Sequence, residues 1–134
     1  MAADFGKILS KIEDENTTLR EAQVRLQKAF VKLDSKLTRL GAKTRIEPYP
    51  ITKDSEVTIG YRRFDTGYSI TTLRRGLGGT EAEIPVSEAN PELQATLMAH
   101  VADLLEKVLT NVSSNTKAAT AAAATADKLI SAIP

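Results

Sequence analysis

The sequence contains no cysteine, no tryptophan and only one histidine, His100. A chain without cysteine can form neither a disulfide nor a thiolate-bound zinc site. One histidine among carboxylates is also a poor ligand set for a transition metal, so we predict no metal and no other cofactor. Aromatic residues make up only 4% of the chain, and aliphatic side chains must therefore supply most of the packing.

Long apolar runs are absent as well. No stretch reaches about 18 uninterrupted apolar residues, so we predict no membrane-spanning helix and no association with a membrane. Asp4 and Lys7 interrupt the first residues, which lack the apolar run of a signal peptide, and the expected location is the cytoplasm. With 134 residues, 42% of them apolar and 26% charged, the chain is predicted to fold as one domain over residues 1–134.

The net charge of +1 conceals an uneven distribution. Residues 18–45 contain eight bases and two acids, a balance of +6. Residues 76–134 contain three bases and seven acids, a balance of −4. Because opposite potentials attract, this asymmetry favours either packing of the two regions on each other or head-to-tail association of copies.

The first third of the chain has the spacing of an amphipathic helix, predicted over residues 4–40. Apolar residues recur at steps of three and four. They are Leu19, Ala22, Leu26, Phe30, Leu33, Leu37 and Leu40. Gly41 follows where a C-cap glycine is expected. Residues 16–18 are poor helix formers, and Thr18 with Glu21 fits a capping box, so the helix either continues through this point or breaks there.

The middle of the chain has the composition of β-strands, predicted at about 44–51, 56–64 and 68–75, with 82–86 a candidate for a fourth. Pro48 and Pro50 restrict the first to a sheet edge, because proline cannot donate to a strand ladder. The next two are joined by residues 65–67, which form a hairpin signal.

Two registers of this hairpin remain open. A three-residue loop ending at Gly67 pairs Phe64 with Tyr68 and leaves apolar residues on both faces of the ribbon. A two-residue turn at Thr66 and Gly67 gathers the apolar residues on one face, but it requires a positive φ at the β-branched Thr66. On turn chemistry we favour the three-residue loop.

The last third predicts a second long helix at about 90–131, either continuous or broken near residues 113–115. From Met98 onwards, small and aliphatic residues follow an alternating four- and three-residue step, which is a heptad seam of the coiled-coil type. The seam residues proposed for helix packing are Leu105, Leu109, Val112, Ala119, Ala123, Ala126 and Ile130. The alternative is an alanine-rich tail without a partner.

Basic residues supply the main binding alternative. Lys28, Lys32 and Lys36 recur every four residues and line one helix face. Four arginines stand on the hairpin strands beside aromatic residues: Arg62, Arg63, Arg74 and Arg75. Such a set can contact phosphates and stack on bases, although a near-neutral chain is unlike most nucleic-acid binders.

Catalytic chemistry is not evident in the sequence. His100 has a carboxylate neighbour, Asp103, three residues later, but no nucleophile or metal set accompanies this pair. We therefore expect a protein that is not an enzyme.

The segment Ile59–Ile70, with its Gly60-Tyr61 step and flanking aromatics, resembles a set of small uncharacterised bacterial proteins. These have an N-terminal helix, a strand pair with a Gly-Tyr pattern and a long helical tail. Members carry a Trp near the position of Tyr68, where this chain has none. The resemblance implies the same architecture and a bacterial source, and it brings no activity, cofactor or binding residue.

Together these patterns predict an α+β fold: a long N-terminal helix, an antiparallel ribbon of two to four strands and a long alanine-rich C-terminal helix. We expect the two helices to pack on each other and on the ribbon. The function predicted is that of an interaction or adaptor protein that self-associates, as a homo-oligomer, or binds partner helices. The alternative is a nucleic-acid-binding accessory protein.

Overall fold

The computed structural model describes residues 4–53, 56–65 and 67–134, apart from the side chain of Leu77. It has the α+β architecture predicted from the sequence: along the chain, one long helix precedes a four-stranded sheet and another follows it. The elements are α1 (Phe5–Leu40), β1 (Ile46–Pro50), β2 (Thr58–Phe64), β3 (Gly67–Arg75), β4 (Glu81–Pro85), α2 (Pro91–Met98) and α3 (Val101–Ser131). Short 3-10 turns at Leu77–Gly79 and Val86–Glu88 flank β4.

The sheet is an antiparallel meander in the order β1-β2-β3-β4. The helices cover one of its faces, which we call the helix face, and leave the other, the open face, uncovered. The core lies on the helix face and draws on every part of the chain except the two ends. Its fully buried apolar residues are Phe30, Ile59, Tyr61, Ile70, Val86, Leu97 and Leu104.

The hairpin register favoured from turn chemistry is wrong. Phe64 pairs with Gly67 rather than with Tyr68, and Tyr61 pairs with Ile70. Gly67 has a φ of 145°, and Thr66 lies outside the described residues. This register places Tyr61, Tyr68 and Ile70 on the helix face together, because residues opposite each other in a ladder share a face. The pairing also differs from that of the two-residue turn at Thr66 and Gly67, which would place Asp65 opposite Tyr68, because Arg63 is opposite Tyr68 instead. It shares with that alternative the gathering of apolar residues on one face, and burial of this face outweighs the preference of the loop.

Helix α1 runs without interruption through the weak point expected at residues 16–18. The hydroxyls of Thr17 and Thr18 donate to the carbonyls of Glu13 and Asp14, four residues earlier, at 3.0 and 3.1 Å. These bonds satisfy the hydroxyls within the helix, so the alternative capping box does not form. At the other end, Gly41 adopts the left-handed conformation, with φ 71°, that was expected of a C-cap glycine.

The second helical region is divided, but not where the sequence indicated. The break lies at Ala99–His100, between α2 and α3, and α3 continues through residues 113–115 to Ser131. The two segments on either side of the break have different neighbours: α2 packs against α1, whereas α3 packs against β2.

The expectation that the two helical regions pack on each other is confirmed only for the start of the second region: α2 packs on α1, whereas α3 lies on the sheet. α1 lies mainly against β3 and α2, and α3 lies against β2, with little contact between α1 and α3 among the described residues. Each helix thus buries its apolar stripe only over the part that crosses the sheet.

Candidate interaction surfaces

The heptad seam of α3 divides into a packed part and a bare part. Leu105 and Val112 are half-buried against the core, whereas Leu109 points away from it and is 67% exposed. Every residue from 113 to 131 is exposed. We call this segment the C-terminal arm. It includes the predicted seam residues Ala119, Ala123, Ala126 and Ile130.

The bare seam lies on the same side of α3 as the residues that contact the core. At 100° per residue, Ala119, Ala126 and Ile130 fall within a narrow sector that lies roughly 20–60° to one side of the mean direction of Leu104 and Val108. The helix therefore continues its core-facing stripe beyond the sheet. In the described part of the chain, nothing covers this extension.

The first half of α1 also carries an exposed apolar stripe. None of its residues was among the interaction sites predicted from the sequence. Every residue from 4 to 21 is exposed, and we call this segment the N-terminal arm. Phe5, Ile8, Ile12 and Leu19 are 68%, 47%, 50% and 55% exposed, yet they share the helix side of the buried Phe30. The period that continues from Leu19 back to Phe5 was the available signal. The apolar repeat alone could not show that the sheet is shorter than the helix, so that the first half of the repeat has nothing to pack against.

The two arms leave the sheet at opposite ends. On α1, Thr38 bonds to the Tyr68 amide and Asp34 to the Ile70 amide, so α1 runs antiparallel to β3. On α3, Asp103 bonds to the hydroxyl of Tyr49, and Asn111 bonds to a carbonyl four residues before that tyrosine. Thus α3 runs antiparallel to β1.

Strands β1 and β3 are parallel to each other, because both are antiparallel to β2. The two helices consequently run in the same direction. The N-terminal arm precedes the sheet and the C-terminal arm follows it, so the arms project from opposite ends of the molecule.

The lysines singled out on α1 occupy one solvent-facing stripe. Lys28, Lys32 and Lys36 lie on the side of the helix opposite Phe30, and Arg25 and Arg39 flank them. Within the described residues, none of these five cations forms an ion pair. The result is a continuous basic stripe on the outer surface.

The four ribbon arginines do not join this stripe or one another. Arg62 and Arg63 pair with Ser69 and Tyr68 near the hairpin, whereas Arg74 and Arg75 end β3. At about 3.3 Å per residue the two pairs are separated by roughly 17 Å. Within each pair the side chains alternate between the two faces of the sheet.

A buried charge cluster occupies the open face of the sheet. The side chain of Glu83 is only 8% exposed, and it accepts a 2.6 Å hydrogen bond from the Thr71 hydroxyl. Arg45 and Arg62 approach it at 3.5 and 3.6 Å. Gly60 forms the floor beside this cluster, because a Cβ there would lie 2.9 Å from the carbonyl oxygen of Ile46. Arg45 also pairs with Glu47, at 2.6 Å, so two arginines face two carboxylates and the cluster has the arrangement of a structural network.

Asp34 is a half-buried carboxylate where α1 meets β3. Burial raises its pKa from 3.8 to about 6, against the smaller, opposite effect of the hydrogen bonds from the Ile70 amide and the Ser69 side chain. The hydrogen bond that Asp34 accepts from the Ile70 amide, at 2.9 Å, ties α1 to β3.

The possible His100–Asp103 pair is not formed. His100 occupies the N-cap position of α3 without a side-chain capping bond, while Asp103 accepts a 2.9 Å hydrogen bond from the hydroxyl of Tyr49. Burial and this bond to Asp103 raise the pKa of Tyr49. In the part of the chain that the structure describes, no group of three or more His, Cys, Asp or Glu side chains is placed to bind a metal ion.

Over the same described ranges, no helix is both long and apolar enough to cross a membrane. Comparison of the chain with protein-family models, curated proteins and solved structures finds no match.

Proposed function

We propose that this chain is a non-enzymatic interaction protein that self-associates through its two helical arms. The observation that supports the proposal is the continuation of both core-facing stripes into solvent, over residues 4–21 and 113–131. A stripe of this kind is usually buried, because helices in water gain most of their stability from packing of an amphipathic face.

The energetics favour covering these stripes. Full burial of a side chain such as Phe5 or Ile12 contributes about 1.5–3 kcal/mol. By contrast, an arm alone in water has only its own helical hydrogen bonds, and most helical stability in proteins comes from packing of an amphipathic face. An arm packed on another helix is therefore more stable than an arm alone in water.

Sedimentation velocity across micromolar concentrations tests this function. We expect the mean mass to rise with concentration and to fall when Ile12 is replaced by Glu. Ser10 lies on the opposite side of the same arm, so Ser10→Glu is the matched control and should associate like the wild type. A protein that stays monomeric at every concentration contradicts the proposal.

The cytoplasmic location and the bacterial source remain predictions.

A second candidate function is binding of nucleic acid along the basic stripe of α1. The five unpaired cations support it, since phosphate contacts supply most of the non-specific affinity for nucleic acids. Binding of labelled DNA and RNA should weaken steeply between about 50 and 200 mM salt. Replacing Lys28, Lys32 and Lys36 by Gln should abolish it, whereas Arg74→Gln, at the far end of β3, should not. No binding at low salt would exclude this candidate.

A further inference from the structure

We infer that the N-terminal arm of one copy packs against the C-terminal arm of a second copy, so that the protein assembles head to tail. This inference rests on the proposed self-association and names the two surfaces that meet. It commits to one partner, another copy of this chain.

The first argument is that a single contact covers both bare stripes. Pairing of two N-terminal arms would leave Ala119, Ala123 and Ile130 in water, and pairing of two C-terminal arms would leave Ile8 and Ile12 there. A head-to-tail contact needs only one interface. Both arms are roughly 25–30 Å long at 1.5 Å per residue, so one stripe spans the other.

The second argument is the match between side-chain sizes. The N-terminal stripe carries large side chains, including Phe5, Ile8 and Ile12, whereas the middle of the C-terminal stripe carries alanines. An alanine surface allows a second helix to approach closely, and large side chains from that helix can then fill the space beside it. Ile130 provides a larger contact near the end of the C-terminal arm.

The third argument is electrostatic. The N-terminal arm has three bases and five acids, a net charge of −2, and the C-terminal arm has two bases and one acid, a net charge of +1. Like arms therefore repel each other weakly, and unlike arms attract.

The geometry of the fold permits this contact. Because α1 and α3 run in the same direction and their arms leave opposite ends, copies stacked along the strand direction bring unlike arms side by side, with their chains parallel. Each bare stripe continues the core-facing side of its own helix, so one copy must be rotated about the strand direction relative to the next for the two stripes to meet. After two copies join through such a heterologous contact, one N-terminal arm and one C-terminal arm remain unpaired. Further copies can therefore add, and the contact generates a ring or a filament.

Two arm variants test the arrangement. The N-arm variant is Ile8→Glu with Ile12→Glu, and the C-arm variant is Ala119→Glu with Ala126→Glu. All four positions are exposed and outside the core. Thermal unfolding of both variants should therefore match that of the wild type at concentrations low enough to keep the wild type monomeric. Ser10→Glu and Ala121→Glu, on the opposite sides of the two arms, are the matched controls and should assemble normally.

We expect the wild type to form assemblies larger than a dimer and each arm variant alone to be monomeric. An equimolar mixture of the two variants should form a heterodimer and nothing larger, because each has one intact arm. If either variant alone still dimerises, like arms pair and the inference is wrong, although self-association stands. A mixture that remains monomeric also overturns it. A monomeric wild type would instead refute the proposed function.

Discussion

The carboxylate of Asp34 on α1 accepts a 2.9 Å hydrogen bond from the backbone amide of Ile70 on β3. Pairing of β3 with β4 ends at Thr71, so this amide has no strand partner on that side. In the same way, the Thr38 hydroxyl accepts a hydrogen bond from the Tyr68 amide, also at 2.9 Å. Helix α1 thus supplies acceptors for the free edge of β3, and this fixes the position from which its N-terminal arm projects.

Asp34 should make folding stability depend on pH. Its pKa is raised from 3.8 to about 6, so between these values the folded chain binds a proton more tightly than the unfolded chain. The associated stability is fully present below pH 3.8 and is lost as the pH rises through about 6. The full difference would correspond to about 3 kcal/mol, but solvent screening of this half-buried group reduces it to about 1 kcal/mol.

Urea unfolding of the wild type and of Asp34→Asn at pH 4.5 and pH 7.5 measures this effect. The asparagine can still accept the Ile70 amide, so we expect its stability to change less between the two pH values than that of the wild type. Asp65→Asn removes an exposed carboxylate and should retain the wild-type pH dependence. An equal pH dependence of Asp34→Asn and the wild type would contradict the assignment.

Glu83→Gln should destabilise the protein by about 1–2 kcal/mol, because it removes a buried charge that faces Arg62 and shares Arg45 with Glu47, and it weakens the bond from the Thr71 hydroxyl. The arginines are 48% and 37% exposed, and water compensates part of the loss. Glu81→Gln is the matched control. Its partner Arg75 is 76% exposed, and the expected change is below about 0.5 kcal/mol. Denaturant midpoints of the two variants compare them directly; equal midpoints would mean that the Glu83 cluster contributes nothing.

Gly60→Ala should be destabilising by about 1–3 kcal/mol, in the range of overpacked sites. A Cβ at this position would lie 2.9 Å from the Ile46 carbonyl oxygen and 3.1 Å from the Cα of Pro48, and neither backbone atom can move without disturbing β1. Gly6→Ala is the contrasting change. Among the described residues its Cβ would meet only Asp4, at 3.5 Å, and because Gly6 lies in the first turn of an exposed arm, alanine should stabilise the protein by less than the roughly 1 kcal/mol expected in a helix interior. Thermal unfolding followed by circular dichroism measures both, and a stable Gly60→Ala would show that β1 can shift.

The order of elements followed from periodicity, because the repeats of α1, of the strands and of α3 are long and strong. The hairpin register did not, since local turn chemistry and burial of the Tyr61–Ile70 face favoured different answers and burial prevailed. The break at Ala99–His100 was equally inaccessible, because it depends on where α1 and β2 lie in space. For the candidate site, the seam was visible in the sequence, but the length of the sheet, which determines how much of each helix is left bare, was not.

Hydrogen exchange should resolve the state of the arms residue by residue. In dilute protein, amides over residues 4–21 and 113–131 should exchange much faster than those of β2 and β3, because no tertiary contact protects these exposed turns from fraying. At concentrations where the chain associates, exchange should slow in both arms together, whereas exchange in β2 and β3 should stay constant. The control is the C-arm variant, Ala119→Glu with Ala126→Glu, in which neither arm should gain protection. Slowing confined to one arm in the wild type would indicate that like arms pair, and arms already protected in dilute protein would indicate a stable helix without a partner.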